Sequence, residues 1–168
     1  MIAIDPREVQ AKVAQLGVRI CVAFPVVMFT LTLILKKALY SMEAALLPEN
    51  SRELVGYIFI AVALADMFAA LLLKRRLITA SNLAARFSPD LKLFAKQFAA
   101  AYVPILAVCA APALYGLIYF FVGGDVETYV LISIICPASY ILTKPRWEEI
   151  ESIARELFET DKDRDRKL

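Results

Sequence analysis

The chain alternates between long apolar runs and shorter polar segments, and this pattern predicts its architecture. Four runs are almost free of charged residues, and each is bounded by polar or charged ones. A helix needs about 20 residues, within a range of about 17–25, to cross a bilayer, so each run is long enough to span one. The pattern predicts an all-α integral membrane four-helix bundle with spans at about residues 16–35, 54–73, 98–122 and 126–142.

Amphipathic stretches flank these runs at both ends of the chain. Val9, Val13, Leu16 and Ile20 recur at helical spacing, which predicts a short helix that continues into the first span. After the fourth span, residues 145–160 predict a second helix with one apolar and one largely acidic face. We expect its apolar face to dock a partner chain or the protein's own cytoplasmic ends. The residues of this docking face are Trp147, Ile150, Leu157 and Phe158.

The remaining segment, residues 161–168, alternates in charge and has no apolar face. We therefore expect a disordered tail there. No linker rich in serine, glycine or proline interrupts the preceding sequence. Residues 1–160 are accordingly predicted to form a single four-span membrane domain.

The distribution of basic residues predicts the orientation of the bundle. With four spans, the two termini and the second loop share one side, and sixteen of the nineteen lysines and arginines fall there. Only Lys36, Lys37 and Arg52 fall on the opposite side. Because positively charged loops stay in the cytoplasm, both termini are predicted to be cytoplasmic, in a multi-pass inner or plasma membrane protein.

The residues needed for most site chemistry are missing from the sequence. The chain has no histidine, which excludes histidine-based catalytic triads, histidine metal sites and bis-histidine haem ligation. Its cysteines, Cys21, Cys109 and Cys136, fall in different spans without the spacing of a metal or redox motif. We therefore expect the cysteines to act as small apolar packing residues. For the chain as a whole we expect no enzymatic activity, no catalytic residue, and no metal or other cofactor. Nucleic acid is not an expected partner.

Asp66 is the strongest chemical signal, because it lies inside the second apolar run. A carboxylate at membrane depth costs on the order of 2.5–3.5 kcal/mol, so such residues are rare and often functional. Its helical neighbours include Ala63, Ala69 and Ala70, which predicts that it points at another helix and not at lipid. Tyr102, on the third span, is the predicted hydrogen-bond partner. The pair is either a structural bond between two helices or an ion or proton site.

The third span carries a resemblance to a known family. Residues 107–121 read AVCAAPALYGLIYFF, with Tyr-Gly-Leu-Ile at residues 115–118. This stretch resembles the carboxylate-bearing helix of the proteolipid (c-type) subunits of rotary ATPases. The chain departs from that family at Ala110, which occupies the place of the ion-carrying carboxylate. The resemblance implies a diverged relative without the usual ion site, for which Asp66 is at best a partial substitute.

Two interpretations of function follow from the sequence. The first is a structural or interaction subunit of a membrane complex, embedded in the lipid bilayer as a homo-oligomer or with other chains. The alternative is an oligomeric channel, transporter or ion-translocating subunit that uses Asp66. Four spans enclose little space by themselves, so the alternative also requires an assembly.

Overall fold

The computed structural model describes residues 6–39, 48–86 and 91–165, which are helical apart from short connections. The helices are α1 (Pro6–Val18), α2 (Phe24–Leu39), α3 (Glu49–Leu77), α4 (Ala80–Arg86), α5 (Leu91–Phe121), α6 (Val126–Thr143) and α7 (Trp147–Asp165). A π-helical turn, Arg19–Ala23, joins α1 to α2. The predicted all-α architecture is confirmed for these residues. Helix α7 continues to Asp165, past its predicted end at residue 160 and into the segment expected to be a disordered tail.

Within the described residues, four helical segments are long and apolar enough to cross a membrane, as the sequence predicts. They are Arg7–Leu35, Asn50–Leu77, Phe94–Phe121 and Val126–Thr143. Their outer faces expose many large apolar side chains, such as Ile34, Phe68 and Ile134. Soluble monomers rarely expose apolar surface so widely, whereas lipid would cover it at no cost. Both the helix lengths and the outer surface therefore fit an integral membrane protein.

Helix α5 is the centre of the bundle. It packs against α1, α2, α3 and α6, and it is the most buried of the four candidate spans. Small residues allow the neighbouring helices to approach it closely. On α3, Gly56, Ala63 and Ala70 form a buried stripe at seven-residue spacing. On α5 itself, a β-carbon at Gly116 would lie only 2.9 Å from the Tyr129 ring of α6.

The long helices run up and down between two ends of the bundle. At one end, Arg52 at the start of α3 donates a hydrogen bond to the Gly123 carbonyl of the α5–α6 connection, at 3.2 Å. At the other end, Lys74 near the end of α3 forms a 2.8 Å ion pair with Glu149 of α7. We call this second end, where α1 begins and α6 ends, the α7 end.

The π-helical turn in the first long helix has a local cause. Pro25 has no N–H, and its ring crowds the carbonyl of Cys21 four residues earlier. The wider turn relieves this crowding, and the Phe24 N–H bonds instead to the Arg19 carbonyl, five residues back. The turn also directs Cys21 into the core, where its thiol donates to the Leu106 carbonyl at 3.8 Å.

Candidate functional site

The Asp66 carboxylate lies at the seam between α3 and α5. The Tyr115 hydroxyl of α5 donates a hydrogen bond to Asp66 Oδ2 at 2.7 Å. Ala63 and Ala70, three residues before and four residues after Asp66 on α3, are fully buried. Their small side chains let the backbones of α3 and α5 approach each other. Asp66 therefore contacts another helix, as the small residues on its face predict.

The Tyr115 ring is held in place by an aromatic neighbour. Phe59, seven residues before Asp66 on α3, stacks on it with ring centroids 6.0 Å apart and an interplanar angle of 8°. Such pairs contribute about 0.5–1.5 kcal/mol beyond the area that they bury. Phe59 and Asp66 thus hold the same tyrosine, one through its ring and the other through its hydroxyl.

The carboxylate is only half-buried and borders the outer surface of the bundle. On the same side of α3, Val62 is 40% exposed and Ala69 is also exposed. On α5, Ile118 lies one turn beyond Tyr115 and is 50% exposed. The Asp66–Tyr115 pair therefore lies at the edge of the α3–α5 seam and not in the centre of the bundle.

Tyr102 is not the partner of Asp66, so this part of the predicted site is wrong. Its side chain is fully buried, and its hydroxyl donates to the Thr143 carbonyl at the end of α6. Tyr102 and Tyr115 are 13 residues apart, or roughly 20 Å along a helix at about 1.5 Å per residue. Because α5 runs antiparallel to α3, Tyr102 lies towards the α7 end, too far along to reach Asp66.

The predicted docking face of α7 is largely used within the chain itself. Ile150 is fully buried, and Ile153 and Ala154 join it in the core, where α7 packs against α1 and α4. Leu157 packs partly against the same core. Ile150 therefore docks onto the protein's own helices, which is one of the two arrangements expected for this face, and it is not exposed to a partner chain. Trp147 is 47% exposed, and the side chain of Phe158 lies outside the described part of the chain.

The cysteines are closer to one another than their separate spans suggest. All three are free and fully buried, and the Cys21 thiol donates to the carbonyl of Leu106, which lies one turn before Cys109 on α5. Cys109 Sγ also lies 3.5 Å from Thr143 Oγ1, and Cys136 donates to the Ala110 carbonyl at 3.7 Å. They fill the junction of the π-helical turn with α5 and α6.

The Asp66 site offers groups for hydrogen bonding and for proton or ion binding. Within the described residues, no group of three or more histidine, cysteine, aspartate or glutamate side chains is arranged to hold a metal ion. One carboxylate and one phenol can share a proton, or contribute two oxygens to a larger coordination shell. Phe59 and Tyr115 are visible in the sequence as aromatic residues of two apolar spans, but nothing in the sequence indicates that they meet beside the carboxylate.

Comparison of the chain with protein families, with curated proteins and with solved structures found no match.

Proposed function

We propose that this chain is a small multi-pass membrane subunit that acts by assembling with further membrane chains and catalyses no reaction. The observation that carries the proposal is the position of Asp66 at the edge of the α3–α5 seam. Its own bundle covers the carboxylate only in part, although the residue lies roughly 12 Å along the helix from Lys74.

An uncovered carboxylate at that depth is costly in hydrocarbon. Tyr115 provides a hydrogen bond to Oδ2, while the residue stays partly exposed. The surrounding surface carries the small Ala69 beside Val62, and small residues are typical of faces where membrane helices pack. A second chain packed over this edge would remove Asp66 from lipid and add hydrogen-bond partners. A second copy of this chain is the simplest such neighbour.

The proposed orientation places the α7 end in the cytoplasm. Lys74, Arg75 and Arg76 lie at this end together with Lys144 and Arg146. The opposite end, with Arg52 and the α5–α6 connection, is poor in basic residues along the whole sequence. The positive-inside rule supports an inner or plasma membrane protein with cytoplasmic termini.

Ion or proton translocation is the second candidate, and the Asp66–Tyr115 hydrogen bond is what favours it. A carboxylate paired with a phenol at membrane depth can accept and release a proton without a change of fold. Tyr115 is also the first residue of the Tyr-Gly-Leu-Ile motif behind the resemblance to rotary-ATPase proteolipids. Ala110, at the family's carboxylate position, has no side-chain group that binds a proton or an ion, so Asp66 would carry this role alone.

Cysteine crosslinking in native membranes tests the assembly proposal. Ala69→Cys places a thiol on the exposed surface one turn from Asp66, and Ile134→Cys places a matched thiol on the exposed face of α6. Oxidation should crosslink the Ala69→Cys chain into a dimer or to another membrane protein. The wild type should stay uncrosslinked, because its three cysteines are buried.

Crosslinking of Ile134→Cys with none of Ala69→Cys would contradict an interface at Asp66. The second candidate is tested separately in liposomes with Asp66→Asn, which keeps the size and much of the hydrogen bonding but cannot titrate. Loss of a wild-type proton or cation flux in this variant, with unchanged folding, would support translocation. No flux from the wild type would contradict it and leave the assembly test unaffected.

A further inference from the structure

A groove at the α7 end lies between the start of the first long helix and the end of α6. Its volume is about 290 Å³, and it opens to the outside of the bundle. One wall is formed by Ala11 and Ala14 of α1, and the other by Tyr140, Ile141 and Lys144. The walls are joined because the Gln10 side-chain amide donates to the Pro145 carbonyl at 3.1 Å, and the Tyr140 hydroxyl contacts the Ala14 carbonyl at 3.4 Å.

The lining changes from apolar to polar along the groove. Ala11, Ala14 and Ile141 provide an apolar surface without bulky obstruction. Gln10 and Lys144 provide the polar end. Lys144 is exposed and forms no ion pair within the described part of the chain, whereas Lys12 on α1 is paired with Glu8 at 2.7 Å. The groove thus combines an apolar wall with the positive charge of the Lys144 side chain.

This change in polarity falls at the boundary where the membrane should end. Ile141 and Leu142 are 61% and 55% exposed in the last turn of α6, as expected of side chains that face lipid tails. Lys144 follows directly after the helix ends at Thr143. A lysine at the end of a span reaches the depth of the lipid headgroups, where a basic residue is attracted to anionic lipid.

We propose that this groove binds one anionic phospholipid, with its phosphate at Lys144 and Gln10 and the start of an acyl chain along Ala11, Ala14 and Ile141. The apolar wall favours a lipid over a soluble phosphate, which would gain nothing from the alanines. The single available lysine favours an anionic lipid over a zwitterionic one. The site is independent of the proposed subunit assembly and of Asp66.

Native mass spectrometry of the purified full-length protein tests the site. The probes are phosphatidylglycerol, phosphatidylcholine of the same chain length, and inorganic phosphate. We expect the wild type to retain one phosphatidylglycerol in preference to phosphatidylcholine. Lys144→Glu should weaken its apparent affinity about tenfold, since an attraction becomes a repulsion. Arg75→Glu, which reverses an exposed charge at the same end, should leave this first lipid bound.

Ala14→Leu tests the apolar half, because the larger side chain fills the groove without changing any charge. It should also remove the first phosphatidylglycerol. Circular dichroism and elution volume check that each variant is folded, and Lys144→Gln replaces Lys144→Glu if the reversal disrupts the protein. Equal retention of both lipids, equal loss in the Lys144 and Arg75 variants, or full retention by Ala14→Leu would each overturn the proposal. Competition by inorganic phosphate at the concentration of the lipid would show a soluble anion site instead.

Discussion

Lys74 and Glu149 join the end of α3 to the first turns of α7 through a 2.8 Å ion pair. The Lys74 side chain is 15% exposed and that of Glu149 is 33% exposed. Solvent therefore screens this pair less than it screens the surface pair of Arg155 and Glu151, in which the arginine is 73% exposed. The ion pair lies beside the buried Ile150 and secures the docking of α7 onto the bundle.

Lys74→Met should loosen α7, because it leaves Glu149 partly buried without its cation. We expect a loss of about 1 kcal/mol in stability, between the values for exposed and buried pairs. Thermal unfolding in detergent and protease cleavage within α7 measure the effect. Arg155→Met is the matched control and should change neither. The idea that Lys74 secures α7 fails if both variants behave alike.

Tyr115→Phe removes the hydroxyl that bonds to Asp66 and keeps the ring that stacks on Phe59. Hydrogen bonds between membrane helices contribute about 0.6–2 kcal/mol, so a loss in that range is expected. Combining it with Asp66→Ala should cost less than the sum of the two single changes, since both break one bond. Tyr57→Phe, at a position 68% exposed, is the control. If the losses of unfolding free energy in the two single variants add up to the loss in the double variant, the hydrogen bond contributes nothing to stability.

Gly17→Ala should disturb the junction between α1 and α6. An added β-carbon would lie 2.0 Å from Cε2 of the Tyr140 ring, so the ring or the helix must move. Overpacking of this kind costs about 1–3 kcal/mol. At Gly56 the nearest atom to a β-carbon is Thr128 Cγ2 at 3.1 Å, so Gly56→Ala should cost less. A melting series that ranks the two substitutions the other way would refute the packing argument.

Asp125 should make stability depend on pH at the acidic end. It caps α6 by accepting a 2.7 Å bond from the Thr128 N–H, and it accepts a 2.8 Å bond from the Tyr119 hydroxyl. Partial burial opposes ionisation, but these bonds prevail and hold the pKa of Asp125 below its ordinary value of 3.8. Its contribution is therefore fully present above that value and is lost as the pH falls through the lowered pKa.

Asp125→Asn is the matching variant, because asparagine caps a helix as well but does not titrate. We expect the stability advantage of the wild type over this variant to be constant near neutral pH and to shrink below about pH 4. Unfolding of both proteins across a pH series measures this difference. A difference that stays constant down to pH 3 would show that the carboxylate is not stabilised by folding.

The orientation can be tested with reporters and labels. A reporter fused after Leu168 or inserted near Phe87 should be cytoplasmic, because both positions lie on the basic side of the sequence. A single cysteine at Asn50 should react with an impermeant reagent added from outside. Labelling of that cysteine only from the cytoplasmic side would reverse the proposed topology.

The helices were predictable from the sequence because each apolar run is long and bounded by polar residues. The partner of Asp66 was not predictable, because it depends on the axial register between α3 and α5. Residue counting from the span boundaries suggested Tyr102, whereas α5 begins at Leu91 and places Tyr115 beside the carboxylate. Periodicity identifies the face of a helix, but it does not fix the register between two helices.

Helix α7 shows a similar limit. Its sequence correctly indicates an apolar face, yet the same pattern serves a helix that docks onto its own bundle and one that docks onto a partner. Which of the two occurs depends on the space that α1 and α4 leave for α7, and the sequence of α7 carries no information about that space. The apolar stripe looks continuous in the sequence, yet Trp147 is exposed whereas Ile150, about one turn later, is fully buried.

The π-helical turn before Pro25 has a consequence for how the first long helix tolerates insertions and deletions. Val9 and Val13 are buried on one side of the turn, and Thr32 is buried on the other. The extra residue in the turn sets the rotation between these two halves, since each residue of an α-helix turns the chain by about 100°. Deleting one residue among Arg19–Ala23 would therefore rotate the N-terminal half and carry Val9 and Val13 away from α5 and α7. One deleted residue at this turn should do more damage than several substitutions on the lipid-facing side of α2.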